Sequence, residues 1–230
     1  MQSWGLLSAA TAISHIFSHN RFQEGIDDFE HALELDPGNA FLVAAIGKGA
    51  FLTGNYELAI AQYREALAME PVVPEFYWFL GRAYLSSGRL DEAEAAFKKL
   101  ADLSPSYRGE ALLWELLLVR GDLETALAES NTSFRRAIAH YKAGNTAVAD
   151  EALADLIENA HPYAVALAYG HRGEVDKTFE WLNVNLESGD YPPSFILTET
   201  AFQSIHSDPR WEPLLEELGL LDFWLEMTPD

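Results

Sequence analysis

The chain of 230 residues contains no cysteine. That absence excludes a disulfide framework, a thiolate zinc site, an iron–sulfur cluster and a cysteine nucleophile. Basic residues are also scarce. Lys+Arg total 15 against 36 Asp+Glu, a formal net charge of −21. A body this acidic repels phosphate backbones, so nucleic-acid binding is not expected. Long apolar runs are missing too. The stretch Ala40–Leu52 is interrupted by Lys48, and nothing approaches the roughly 18 residues of a membrane span. The first residues lack the positive n-region of a secretory signal, because Arg21 comes too late. They read as a first helix, and the cytoplasm is the expected compartment, with the periplasm as the alternative. What remains is the composition of an ordinary globular protein, 49% apolar and 22% charged.

The chain repeats itself. Ala32-Leu-Glu-Leu-Asp-Pro37, Ala66-Leu-Ala-Met-Glu-Pro71 and Leu100-Ala-Asp-Leu-Ser-Pro105 end alike, with prolines 34 residues apart. Phe29, Tyr63 and Phe97 fall in register, as do Gly25, Ala59 and Ala93. Gly54 and Gly88 precede the small residues, and Gly47 and Gly81 fill a further slot. Two antiparallel helices account for this pattern. A small residue permits close approach, a ring fills the gap one turn later, a glycine makes the interhelix turn, and proline ends the second helix. After Pro105 the period loosens, with further turns expected at Gly121 and Gly144 and a sixth pair within Ala168–Leu182. The tail is different. Ser194–Leu197 is expected to be extended. Asp208 and Pro209 read as the start of a helix carrying Trp211, Leu214, Leu215 and Leu218 on one face and ending at Gly219.

A period of 34 with these slots resembles the tetratricopeptide repeat. The resemblance implies an all-α, right-handed solenoid of about six helix pairs with a C-terminal capping helix. The expected organisation is a single array over residues 1–230, with regular repeats over 6–105, degenerate ones over 106–188, and an extended segment plus cap over 189–230. The second half is more narrowly similar to the C-terminal repeat region of bacterial signalling proteins linked to cyclase, kinase or winged-helix modules. The residues carrying that similarity are Ala168-Tyr169, His171–Lys177, Phe179–Leu182, Ser207–Trp211, Leu214-Leu215 and Gly219-Leu220. These are packing motifs rather than catalytic ones.

No catalytic residues, metal site or cofactor are expected. His15 and His19 are four apart but lack a third ligand. Gly47-Lys48-Gly49 falls inside an expected helix, not in a phosphate loop after a strand. Ser194 has no elbow motif around it. The chain is therefore not expected to be an enzyme.

The feature left over is a stripe along the first helices of the pairs. Offsets of four and three residues share one helix face, and the resemblance places that face on a concave groove. In the second repeat the stripe holds Ala44, Lys48 and Phe51, with Phe41 a turn earlier. In the third it holds Trp78, Arg82 and Leu85, with Phe79 beside them. The fifth contributes Phe134, Arg135, Tyr141 and Lys142 at or near it. Aromatics and arginine are enriched at binding hot spots, and cations on an acidic body concentrate an acidic ligand. The competing reading pairs Lys48 and Arg82 with neighbouring acids and packs Phe41 and Phe51 between repeats. The chaperone-tail clamp of this repeat class needs Lys and Asn where this chain has Ala10 and Ser14, which argues against a chaperone-tail receptor. The expected function is a scaffold that binds a protein or peptide segment, acidic or C-terminal in character. The alternatives are a regulatory or dimerisation module that forms homo-oligomers and, more weakly, a small-molecule sensor.

Overall fold

The structure is a computed structural model that describes residues 22–104, 107–188 and 196–227. Every regular element among the described residues is a helix, so the all-α expectation holds. The fold divides into two compact units, Met1–Leu113 with Leu214–Asp230, and Trp114–Pro213. The expected first helix, with His15 and His19, lies outside the described residues. Among the described residues no helix is long and apolar enough to cross a membrane.

The first unit contains α1 (Phe22–Leu35) and two helix pairs. These are α2 (Ala40–Leu52) with α3 (Tyr56–Met69), and α4 (Pro74–Ser86) with α5 (Leu90–Leu103). Asn39 caps α2, its side chain accepting from the Phe41 and Leu42 amides. Pro74 opens α4, where its missing N–H costs nothing. The glycine slots identified from the repeat have a direct physical cause. A Cβ on Gly47 would lie 3.0 Å from Gln62 Cβ and 3.2 Å from the Tyr63 ring, and one on Gly81 would collide with the Phe97 ring. Each therefore sets how closely a first helix approaches its own second helix. Ala59 and Ala93 are completely buried, as the small slot requires.

Residues 107–120 form α6 (Tyr107–Arg120). The second unit continues with α7 (Leu123–Ala128), the pair α8 (Ser133–Lys142) and α9 (Thr146–Asn159), and the pair α10 (Pro162–Arg172) and α11 (Val175–Ser188). Its core gathers Trp114, Ile138, Leu153, Leu156, Val165 and Tyr169. The Trp114 indole N–H donates to the Ala126 carbonyl over 2.8 Å. Thr178 fits the small slot of the last pair by returning its hydroxyl to the Glu174 carbonyl, 2.9 Å away.

Five of the interhelix turns close in the same way. Gly54, Gly88, Gly121, Gly144 and Gly173 all have φ between 73° and 78°. The amide after each glycine reaches back to the carbonyl five residues earlier: Asn55 to Ala50, Arg89 to Tyr84, Asp122 to Leu117, Asn145 to His140, and Glu174 to Tyr169, at 2.8–3.0 Å. This is a Schellman closure, in which the left-handed residue lets the chain satisfy the last carbonyls of the first helix before the second begins.

The tail departs from expectation. Ile196 and Leu197 lie in a turn rather than an extended strand, while Ser194 is outside the described residues. A 3-10 helix (Thr200–Ile205) follows. Helix α12 (Trp211–Glu217) starts at Trp211, two residues after Pro209, and the Asp208 carboxylate accepts from the Arg210 amide at 3.0 Å, the kind of bond a capping residue makes. Trp211, Leu214, Leu215 and Leu218 are all buried, and Gly219 is left-handed at φ 67° as the expected terminator. A further helix, α13 (Leu221–Met227), was not legible in the sequence.

The contacts before α12 join Asp176 and Phe179 to Asp208 and Arg210. Arg210 donates to Asp176 at 2.8 Å and to Asp208 at 2.8 and 2.9 Å, and its guanidinium covers the Phe179 ring at 4.3 Å. His206 packs on Trp211 with ring centroids 4.6 Å apart. Burial pushes the His206 imidazole from 6.5 down to about 4. An unfolded histidine takes its proton below about 6.5, but the folded one resists until about 4. Between those values the unfolded state holds more protons, so stability is full above pH 6.5 and is lost as pH falls towards 4. The expected result is a melting temperature that declines across that window, and a shallower decline in His206→Gln. Asp208, held down to about 2 by Arg210, acts only in stronger acid. An unchanged slope in His206→Gln would assign the decline to other groups.

Candidate functional site

Counting back from the left-handed glycines places the stripe in the structure without reference to any family. Residues ten, six and three before Gly54 are Ala44, Lys48 and Phe51, and before Gly88 they are Trp78, Arg82 and Leu85. In the first unit these side chains form an aromatic layer with two cations resting on it. Lys48 Nζ lies 5.3 Å from the centre of the Phe79 ring, and the Arg82 guanidinium 5.6 Å from that of Trp78. Cations over ring faces are favoured electrostatically by the negative quadrupole of the ring.

Not every expected groove residue is accessible. Phe51 is 0% exposed and packs edge-on against Phe79 at 5.8 Å, while Phe79 stacks on Tyr63 at 5.4 Å. Both belong to the packing between successive pairs, because large rings on adjacent first helices meet each other before they meet solvent. The competing packing reading thus holds for Phe51. Arg82 is also buried, at 5% exposure. Phe41 is the opposite case: it packs on Phe76 at 5.4 Å yet remains 61% exposed. Lys48 and Trp78 are half-buried.

The electrostatics follow from this placement. Burial pushes the Lys48 ammonium below its ordinary range, and the nearby Glu75 carboxylate pulls the other way. Burial raises the Tyr56 hydroxyl, which hydrogen-bonds Ser86 and feels the Arg82 charge. Lys48, Trp78 and Arg82 with Tyr56 therefore form one partly desolvated, cation-on-ring patch.

The second-unit residues are distributed differently. Phe134 contacts the Trp114 and His171 rings, each at 6.4 Å. Arg135 lies over Trp114 at 5.5 Å and donates to the Glu129 carbonyl at 3.3 Å, which holds it at the α7–α8 connection. Tyr141 is covered by the Arg172 guanidinium at 4.2 Å, and Arg172 is fixed by Asp150 and Glu174, both at 2.7 Å. Lys142 is exposed. Arg135 is thus a turn-bracing residue rather than a groove residue, and Tyr141 is shielded by an ion pair that the sequence did not reveal.

Sequence reasoning also missed what faces α10. Ten and three residues before Gly173 stand Tyr163 and Gly170. The Phe202 ring meets Tyr163 at 5.8 Å, and a Cβ on Gly170 would lie 2.5 Å from the Ala201 carbonyl oxygen. Six residues before Gly121 stands Glu115, which accepts from the Thr200 hydroxyl at 3.0 Å.

Comparison with known proteins agrees with the periodicity. A tetratricopeptide-repeat family model matches residues 45–108, and a second model of the same description matches 132–162. Subunit 3 of the anaphase-promoting complex of Dictyostelium discoideum is 33% identical over 86 residues, which are 37% of this chain and 9% of that protein. Protein bimA of Emericella nidulans is 29% identical over 96 residues, 41% of this chain and 12% of that protein. The chain thus spans about a tenth of the length of these relatives. Among solved structures, a thermophilic TPR protein of Thermus thermophilus is 17% identical with a TM-score of 0.49, covering 86% of this chain and 98% of that one. The first TPR of Spaghetti (RPAP3), bound to an HSP90 peptide, is 18% identical with a TM-score of 0.49, covering 52% and 94%. The helix pairs of residues 45–108 and 132–162 are tetratricopeptide repeats.

Proposed function

We propose that the chain is a protein-interaction scaffold whose first unit binds an extended segment of a partner along the stripe at Lys48 and Trp78, with the buried Arg82 guanidinium supporting the Trp78 ring. Helical repeats supply continuous binding faces of this kind. The observation that carries the reading is the cation-on-ring patch, with Lys48 over Phe79 and Arg82 over Trp78 one repeat apart. Aromatics and arginine in a desolvated setting are the side chains that dominate binding energy. A ligand carboxylate arriving at Lys48 would offset what burial takes from the ammonium, in competition with Glu75. On a chain of net charge −21 these cations are the local attractor for an acidic or C-terminal segment, which the remaining charge repels elsewhere. Binding, not catalysis, is the proposed activity. A role inside a larger bacterial signalling protein, including self-association, rests on the resemblance of residues 168–182 and 207–220.

Because Arg82 is buried, reversing its charge would disturb the fold, so the clean variants are Lys48→Glu and Trp78→Ala. A peptide selected on the wild-type chain from a displayed random library serves as the probe. Each variant should weaken binding by about tenfold or more, as expected for a hot-spot residue. The Lys48→Glu loss should shrink with added salt and the Trp78→Ala loss should not. Unchanged affinity in both folded variants would remove the stripe as the site. A change in light-scattering mass in either would favour self-association.

A further inference from the structure

The second unit carries the same stripe, but part of the chain already lies on it. Gly170 stands three residues before its turn glycine, where Phe51, Leu85 and Tyr141 stand in other pairs. It therefore occupies a slot of the stripe, one turn after the slot of Gly47 and Gly81, whose missing side chains make room for Tyr63 and Phe97 of their own second helices. The space at Gly170 is filled by the Ala201 backbone, and the Ser204 hydroxyl donates to the Gly170 carbonyl at 3.3 Å. Phe202 lies on Tyr163, the residue ten before the turn glycine. Thr200 reaches Glu115, which occupies on α6 the slot that Lys48 and Arg82 occupy in the first unit. One short segment thus touches the stripe at backbone, ring and carboxylate positions, as a bound peptide would.

We propose that residues 196–206 are a built-in ligand of the second unit, permanently seated on its stripe, so that external partners are read by the first unit alone. The second half of this statement rests on the peptide-binding reading above. Permanence follows from burial. Phe202 and Ile205 are 0% exposed, and Ile196, Leu197 and Ala201 are nearly so. A displaceable lid is drawn from the weakly packed end of a structure, and this segment belongs to the core. The chemistry of the seat is inverted relative to the first unit. Glu115 selects a hydroxyl donor where Lys48 and Arg82 select acceptors, so the built-in segment does not compete for the same class of ligand.

Two measurements test this. Native-state hydrogen exchange on the wild-type chain should protect the Phe202–Ile205 amides to within about tenfold of Ile138 and Ala139, because both open only when the unit opens. Exchange about a thousandfold faster than α10 would make the segment a lid and overturn the proposal. A labelled synthetic peptide of residues 196–208 should not bind the wild-type chain. It should bind Phe202→Ala/Ile205→Ala, whose seat is vacated, about 100-fold or more tightly than wild type. Equal binding to both overturns the proposal. If the double variant does not fold, the exchange experiment alone decides. For the second half, a photo-crosslinking residue is placed at 41, where Phe41 is 61% exposed beside the stripe, or at 134, and challenged with the library-selected peptide. An adduct at 41 alone is expected. An adduct at 134 overturns the confinement to the first unit. No adduct at 41 overturns the peptide-binding reading and leaves the exchange result standing.

Discussion

Replacing Trp114 by alanine should cost the second unit about 3–5 kcal/mol, the usual range for deleting a large buried aromatic. Trp114 is among the largest fully enclosed side chains of the structure. It contacts Phe134, lies beneath the Arg135 guanidinium, and donates to the Ala126 carbonyl. Three effects therefore coincide: a cavity, a cation left without its ring, and a carbonyl without its donor. The last has unusual weight because Ala126 belongs to α7, a helix of only six residues. Trp114→Phe separates the contributions. It keeps most of the ring but orphans the carbonyl, which should cost about 1–3 kcal/mol. Urea denaturation followed by circular dichroism measures both variants. A loss below about 1 kcal/mol for the alanine variant would mean that the site collapses around the deletion, contrary to the close packing expected here.

Gly81→Val should destabilise the first unit by about 2–3 kcal/mol, although valine is the better helix former. Helix propensity favours the change by only a few tenths of a kcal/mol at most, roughly the gap between glycine and β-branched residues. Against it stands the Phe97 ring, which the new Cβ would strike and which is itself completely buried. Overpacking of this kind costs about 1–3 kcal/mol or more, because the ring cannot rotate away without displacing its neighbours. Gly47→Ala should be milder, since its nearest atoms begin at 3.0 Å and yield by tenths of an ångström. Denaturant midpoints compare the two variants. A Gly81 variant as stable as wild type would show that the slot is not set by contact with Phe97.

The contrast between these two glycines and Gly170 shows how far the sequence could be read. The period of 34 identified Gly47, Gly81, Ala59, Ala93, Tyr63 and Phe97 because those residues serve contacts within one pair, where spacing alone determines who meets whom. The turn glycines were legible for the same reason. Phe51 and Phe79 were placed on the correct face but assigned to a ligand, since a periodic pattern does not say whether a ring meets solvent or the ring on the next pair. Arg82 was misjudged likewise: its slot was right, but its 5% exposure depends on Trp78 and Tyr56 closing around it. The 3-10 helix over Thr200–Ile205 was invisible because distant partners, Glu115, Tyr163 and Gly170, hold it in place rather than local propensity. One trace was present: a stripe position that carries Phe51, Leu85 and Tyr141 elsewhere is empty at Gly170.

The uniform closure at the five interhelix turns bears on how such a chain can change length over generations. Each left-handed glycine and the backward bond beside it settle the polar ends of one hairpin without help from the next. A single residue inserted there would break the closure and rotate the following helix off its partner. A whole hairpin gained or lost leaves every remaining closure intact. Lineages of this protein should therefore differ by complete hairpins, or by loops at the Asp36–Gly38 and Glu70–Val73 connections, where α1 gives way to α2 and α3 to α4. They should not differ by one or two residues beside Gly54, Gly88, Gly121, Gly144 or Gly173.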